Sequence, residues 1–166
     1  MFLTFVRHAE AGKRDAEKWP DDDLRPITPE GRKKQTQCAR AMRRLGIEAD
    51  HLFTSPLLRA VQTAEVLQEV YGIREATQTD ALGHECSVAS VLRLVQTLGA
   101  DASVMLVGHE PSFSRVAAAL IGRSADAGLE LRKSGVIGID FEGVAESGMG
   151  TLHFLLKPGF LRKLRK

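Results

Sequence analysis

The chain alternates short continuous apolar runs with longer segments in which apolar residues recur every three or four positions. Continuous runs predict buried strands, and the recurring spacing predicts amphipathic helices. The predicted strands are residues 2–6, HLFT (51–54), VMLV (104–107), VIGIDF (136–141) and TLHFLL (151–156). Alternation of the two patterns indicates an α/β fold: one three-layer domain with a mostly parallel sheet covered by helices on both faces.

Helix boundaries follow from capping residues. Thr28-Pro29-Glu30-Gly31 supplies an N-cap, a proline in the first turn and an acidic residue, so it predicts a helix that runs to about Leu45 and stops at Gly46. A second helix is predicted after Ser55-Pro56 and ends at Gly72. A third starts at Ser87 and ends at Gly99, and a fourth comprises FSRVAAALIG (113–122).

Length and charge limit the classes of function. A chain of 166 residues predicts a single domain over residues 1–166. Its last ten residues (157–166) form a basic C-terminal tail with five Lys and Arg, and removing these from the net charge of +2 leaves −3. The body is therefore not a broad cationic surface for nucleic acid. We interpret the tail as a solvated amphipathic end rather than a contact for nucleic acid or membrane.

Cysteine usage and hydropathy indicate a compartment. Cys38 and Cys86 have no Cys or His partner at zinc-ligand spacing, and two lone thiols are typical of reducing surroundings. The first apolar run is too short for a signal peptide, and no run approaches a membrane span. We expect a cytoplasmic protein.

Polar side chains follow three of the predicted strands directly. Arg7 and His8 follow the first strand, Arg59 lies in the first turn after the second, and His109 follows the third. The carboxyl ends of parallel strands line one crevice of an open α/β sheet, so we expect these four side chains to lie together.

Two arginines and two histidines in one crevice suit phosphoryl transfer. Guanidinium groups bind phosphate oxygens in a bidentate manner, and a neutral imidazole is a nucleophile that needs no deprotonation. A second imidazole can stabilise an equatorial oxygen of the transition state. The pattern therefore predicts transfer through a phosphohistidine, with the first strand as a rigid mount for the attacking histidine.

Three sequence blocks resemble the histidine phosphatase, or phosphoglycerate mutase-like, superfamily. RHA (7–9) is similar to its RHG signature, SPLLRAVQTAE (55–65) to its SPxxRAxQTA block, and VGHEP (107–111) to its second-histidine block. With LRPITPEG (24–31) and KSGVIGIDFE (133–142), the likeness is greatest to small SixA-type phosphohistidine phosphatases. The blocks occur in the family's order, and the resemblance implies a phosphoglycerate mutase-like fold.

The resemblance also implies roles for individual residues. His8 would be the nucleophile, and Arg7, Arg59 and His109 would hold the phosphoryl group. Glu85, in LGHEC, is the candidate general acid, although the SixA-type branch often lacks an obvious equivalent. Ala9 departs from the family's glycine, and we do not take this mild change to abolish activity. No metal or cofactor is implied.

Several other polar residues have more than one interpretation. Arg25 either pairs with the acidic run Asp21-Asp22-Asp23 or reaches the crevice as a further phosphate ligand. That acidic run could suggest magnesium, but we interpret it as a solvated loop. Lys133 and Ser134 likewise either have a structural role or reach the crevice as phosphate ligands. We expect His51 and His153 to be structural or exposed, and His84 to lie at most on the rim of the crevice.

The sequence thus predicts a metal-independent phosphatase that acts on a phosphohistidine of a phosphorelay or carrier protein. Two alternatives stay open: a small-molecule phosphomonoesterase of the same superfamily, and a non-catalytic module that binds phosphoproteins. Few residues separate Thr79 from Val104, which leaves little material for a lid and favours a protein substrate.

Overall fold

The computed structural model describes residues 1–124 and 127–164, which include a six-stranded sheet. Its strands, in chain order, are β1 (Phe2–Arg7), β2 (His51–Thr54), β3 (Thr77–Gln78), β4 (Ser103–Gly108), β5 (Val136–Asp140) and β6 (Thr151–Leu156). The spatial order is β3-β2-β4-β1-β5-β6. The first four strands of that order are parallel, whereas β5 is antiparallel to both of its neighbours.

Within the described residues, five helices cover the sheet: α1 (Pro29–Arg44), α2 (Leu58–Tyr71), α3 (Val88–Val95), α4 (Ser112–Leu120) and α5 (Pro158–Lys163). One core contains buried side chains of α3 and α4, such as Val91, Val95 and Phe113. The other contains those of α1, α2 and α5, such as Met42, Leu67 and Leu161. The sheet separates the two cores, which confirms the predicted three-layer α/β fold.

Most predicted elements are present, with differences at their ends. The N-cap of α2 is Leu57, because the Ser55 hydroxyl accepts the Leu57 N–H at 3.3 Å instead of capping the helix. Helix α3 stops at Val95, short of the predicted Gly99. The two-residue strand β3 is too short to show a pattern.

The segment predicted as a basic tail contains α5. Pro158 begins this helix, and the side chain of Leu161 is fully buried. The helix escapes prediction because it is short and only one of its side chains is buried. Arg165 and Lys166 of the predicted tail lie outside the described residues.

Strand pairing brings the predicted site residues to one edge of the sheet. Strands β1 and β4 are parallel neighbours with Arg7 opposite Gly108, so His8 and His109 follow at the same level. Strand β2 lies on the other side of β4, with Thr54 opposite Val107. Gly108 is required here, because a Cβ would lie 2.4 Å from the Phe113 ring that packs beneath the strand end.

Candidate active site

Backbone hydrogen bonds hold Arg7 and His8 from two sides. The His8 N–H donates to the Gly108 carbonyl at 3.0 Å, and the Arg7 N–H donates to the Gly135 carbonyl at 3.2 Å. Ser134 adopts a left-handed conformation (φ 61°) and directs its N–H to the Arg7 carbonyl at 3.1 Å. The end of β1 is therefore a rigid mount, and Ser134 has a structural role in it.

The His8 imidazole is held as one tautomer. Its Nδ1 lies 2.7 Å from the Ala9 carbonyl oxygen, which can only accept, so Nδ1 carries the proton and Nε2 has a free lone pair. The side chain is buried, and burial lowers the pKa of His8 to about 3, with the charges of His109, Arg59 and Arg7 acting in the same direction. His8 is therefore neutral, with Nε2 as a nucleophile, at neutral pH.

The second imidazole lies next to the first. The His8 and His109 ring centroids are 5.2 Å apart, and Nε2 of His109 lies 2.8 Å from the Ser55 hydroxyl. That hydroxyl accepts the Leu57 N–H and can donate to Nε2, which leaves the proton of His109 on Nδ1. Burial, followed by the charge of Arg59, lowers the pKa of His109 to about 3.

Both predicted arginines flank the histidines. Arg7 donates from Nη1 to the Leu131 carbonyl at 2.9 Å, and Arg59 donates from Nη1 to the Asp22 carbonyl at 2.9 Å. Thr63 connects the end of β1 to the first turn of α2, because its hydroxyl accepts the Ala9 N–H at 2.9 Å and donates to the Arg59 carbonyl at 2.6 Å. The position of Arg59 is thus tied to that of His8.

Three buried nitrogen atoms of this cluster have no hydrogen-bond partner within the described chain: Nε of Arg7, Nε of Arg59 and Nδ1 of His109. Buried donors without partners are rare and costly in native proteins. We call Arg7, Arg59 and His109 the clamp. N–H groups without partners near a neutral imidazole are donors to which the oxygen atoms of a tetrahedral anion can bind.

An acidic rim lies against the clamp. The Asp22 carboxylate receives two hydrogen bonds from Arg25, at 2.8 and 3.2 Å, and lies 3.5 Å from Nη1 of Arg59. Asp23 lies 2.8 Å from Nε2 of His84. Arg25 therefore pairs with the acidic run, as one of its two interpretations predicts. Asp22 in turn lies next to Arg59, so Arg25 is near the crevice. We call Asp22, Asp23 and His84 the rim.

Glu85 is the candidate general acid. It is exposed and lines a cavity of about 550 Å³ together with Thr79, Asp80, Ala81, Ser87, Ser90, Arg93 and Leu94. His84, the neighbour of Glu85, is among the groups that lower the pKa of His109, after burial and the charge of Arg59. His51 and His153 are exposed on strands, away from the crevice.

Sequence reasoning missed four residues of the site. Ser55 and Thr63 orient His109 and Arg59, and both could have been noticed, since Ser55 ends a strand and Thr63 lies one turn after Arg59. The contacts of Asp22 with Arg59 and of Asp23 with His84 join segments that are far apart in sequence. No local sequence pattern predicts such contacts.

Two further observations concern metal ligands and membrane spans. They contain no group of three or more His, Cys, Asp or Glu side chains arranged to hold a metal ion, and the carboxylates of Asp22 and Asp23 are bonded to Arg25 and His84. None of the described helices is both long and apolar enough to cross a bilayer.

Comparisons with known proteins give two matches to the sequence. The family model of the histidine phosphatase superfamily (branch 1) matches residues 3–91. An uncharacterized protein of Picosynechococcus is 33% identical over 141 residues, which are 84% of each chain.

Solved structures share the whole fold. The protein histidine phosphatase SixA complexed with tungstate aligns with a TM-score of 0.82 and 25% identity, over 97% of this chain and 99% of that chain. A putative phosphohistidine phosphatase SixA from Agrobacterium tumefaciens aligns with a TM-score of 0.78 and 22% identity over 95% and 97%. A phosphoserine phosphatase mutant of Entamoeba histolytica aligns at 0.67 and 16% over 95% and 97%. The predicted phosphoglycerate mutase-like fold is confirmed.

Proposed function

This chain belongs to the histidine phosphatase superfamily, and from that premise we propose that it hydrolyses a phosphohistidine on a protein through a covalent intermediate on His8. The observation that carries the proposal is the set of unpartnered donors in the clamp beside the neutral His8 ring. The SixA structure that aligns over nearly the whole chain holds tungstate, which is itself an oxyanion.

In the first step, Nε2 of His8 attacks the phosphorus of the substrate. A new N–P bond forms to His8 as the P–N bond to the substrate histidine breaks. The electron pair of that bond stays on the leaving imidazole, which departs neutral because its other ring nitrogen carries a proton. Arg7, Arg59 and Nδ1–H of His109 bind the three equatorial oxygens, where negative charge is concentrated.

In the second step, a water oxygen attacks the phosphorus of phosphorylated His8. The N–P bond breaks, its electron pair returns to Nε2, and the proton of water passes to solvent or to the departing phosphate. Inorganic phosphate leaves and His8 is again neutral. The hydrogen bond from Nδ1 to the Ala9 carbonyl keeps the ring in one orientation through both steps.

The proposed reaction uses no metal ion. In metal-dependent phosphatases a cation neutralises the transferring oxygens, and here two guanidinium groups and an imidazole N–H occupy that role. Dialysis against a chelator should leave the rate unchanged. A rate that returns only on addition of magnesium would contradict this part of the proposal.

The short connection between β3 and β4 supports a protein substrate. Between β3 and β4 the described chain holds a 3-10 turn (Asp80–Leu82) and α3, whose Val91 and Val95 are packed in the core. Little chain is left there to enclose a small molecule, whereas a phosphorylated protein surface needs no lid. Signalling or carrier proteins with a phosphohistidine are the substrates that this proposal implies.

The test is a comparison of substrates. We expect the kcat/KM for a phosphohistidine protein to exceed that for aryl and alkyl phosphate esters. Preference for an alkyl ester would favour a small-molecule phosphomonoesterase. Binding of the phosphoprotein without turnover would favour a non-catalytic binding module.

A further inference from the structure

A cavity with apolar and cationic lining lies where α5 meets the loop before β5. Its volume is about 340 Å³, and its lining residues are Arg132, Lys157, Pro158, Gly159, Phe160 and Lys163. Phe160 is 65% exposed although it is the largest apolar side chain of α5. We call Arg132, Lys157, Phe160 and Lys163 the basic patch.

The positive charge of the basic patch is only partly neutralised. Arg132 pairs with Glu130 at 2.8 Å. Lys157 and Lys163 are exposed, and no carboxylate of the described chain pairs with either of them. An exposed aromatic ring beside a cavity is of the kind enriched in protein interfaces, as is Arg, whereas lysines belong to the polar rim of such interfaces.

The patch is connected directly to the clamp. Arg132 belongs to the loop 131–135, and this loop bonds Arg7 three times: the Leu131 carbonyl accepts Nη1, the Gly135 carbonyl accepts the main-chain N–H, and Ser134 donates to the carbonyl. Arg132 is close enough for its charge to lower the pKa of Arg7. Loop 131–135 therefore joins the basic patch to the clamp.

We propose that the basic patch docks the phosphohistidine-bearing substrate protein, by contact with an acidic surface that places an apolar side chain against Phe160. The inference rests on the proposed function and specifies its substrate class. Charge complementarity identifies the occupant: two unneutralised lysines and Arg132 favour carboxylates, and the apolar lining favours an aliphatic or aromatic side chain.

The test uses two synthetic phosphohistidine peptides and free phosphohistidine. In one peptide Asp and Leu flank the phosphohistidine, and in the other Lys and Ser replace them. We expect the wild type to hydrolyse the acidic peptide with a kcat/KM about tenfold above that of the basic peptide, chiefly through KM. Equal values for the two peptides would overturn the inference.

Variants locate the preference on the protein. Phe160→Ala and Lys157→Glu should each lower the ratio of kcat/KM for the acidic peptide to that for free phosphohistidine by about tenfold. The matched controls are Met149→Ala, an exposed apolar residue in the loop between β5 and β6 at the other end of the sheet, and Arg40→Glu on α1. An unchanged ratio in both patch variants, or an equal loss in the controls, would contradict docking at this patch.

The design separates the inference from its premise. If the wild type hydrolyses neither peptide nor free phosphohistidine, the proposed function fails. If it hydrolyses all three without preference, only the docking inference fails. Loss of binding to vesicles containing phosphatidylserine in Lys157→Glu, with an unchanged peptide ratio, would assign the patch to a membrane and overturn the inference.

Discussion

The clamp with His8 and the rim face the same crevice but are held in different ways. His8 and Arg59 are buried. The His8 N–H donates to the Gly108 carbonyl, and the Thr63 hydroxyl links the Ala9 N–H to the Arg59 carbonyl. The rim is held by pairs of side chains between exposed loops, such as Asp23 with His84. The reacting groups are thus fixed by the sheet, and we expect substitutions in the rim to disturb the fold less than substitutions in the clamp.

Two arginines offer the sharpest test of this comparison. Arg59→Ala removes a clamp donor and should lower kcat/KM by about 10²- to 10³-fold, the usual effect of deleting one transition-state donor. Arg25→Ala removes a guanidinium already neutralised by Asp22 and should lower kcat/KM by no more than about tenfold. Steady-state rates on a phosphohistidine protein measure both. Equal losses would mean that Arg25 binds the phosphoryl group directly.

Stability against pH tests the burial of the two imidazoles. The folded pKa of His8 and His109 is about 3, against an ordinary value of 6.5, chiefly because of burial. Between these values the unfolded chain binds protons that the folded chain excludes. The free energy of unfolding should therefore fall as pH drops from about 6.5 toward 3, by up to about 1.4 kcal/mol per pH unit for each histidine.

Urea unfolding at several pH values measures this slope. His109→Gln removes one of the two titrating groups, so its slope between pH 6 and pH 4 should be shallower than that of the wild type by about one proton. A variant with the wild-type slope would show that His109 is protonated in the folded protein.

The rim should weaken anion binding at the clamp. The Asp22 carboxylate lies 3.5 Å from Arg59, so it competes with an incoming phosphate for that guanidinium. Asp22→Asn should strengthen competitive inhibition by inorganic phosphate by about fivefold. Asp15→Asn is the control, since Asp15 accepts only local N–H groups in an exposed turn. Weaker inhibition in Asp22→Asn would mean that Asp22 mainly positions Arg59.

Glu85 should have the smallest effect. Its side chain is exposed and lines a separate cavity, and a neutral imidazole leaves without an added proton. Glu85→Gln should therefore change kcat/KM on a phosphohistidine protein by less than about twofold, against the 10²- to 10⁴-fold typical of general acids. Rapid wild-type turnover of an alkyl phosphate that is lost in Glu85→Gln would make Glu85 a general acid.

The sequence predicted the placement of the clamp because each of its members follows a recognisable strand. Buried runs before Arg7 and His109 specify parallel neighbours, and parallel neighbours share one edge. The catalytic roles of these residues stay predictions. The contact between Asp23 and His84 could not be predicted, because these residues come from loops that approach each other only in the folded chain.

The end of the chain illustrates a different limit. A count of charges in residues 157–166 predicted a solvated tail, yet burial of Leu161 against α1 and the sheet makes residues 158–163 a helix. Tertiary packing of one leucine outweighs the polar composition of its neighbours, and it places Phe160 beside the loop that carries Arg132.

The central claim is tested most directly by trapping the phosphoenzyme. A rapid acid-free quench of the wild type with a radiolabelled phosphohistidine protein should leave label on the peptide that contains His8, and mild acid should remove it. His109→Ala should still acquire this label, more slowly, because its nucleophile is intact. His8→Ala should acquire none and should lose turnover. Label that resists acid, or that persists in His8→Ala, would contradict His8 as the nucleophile.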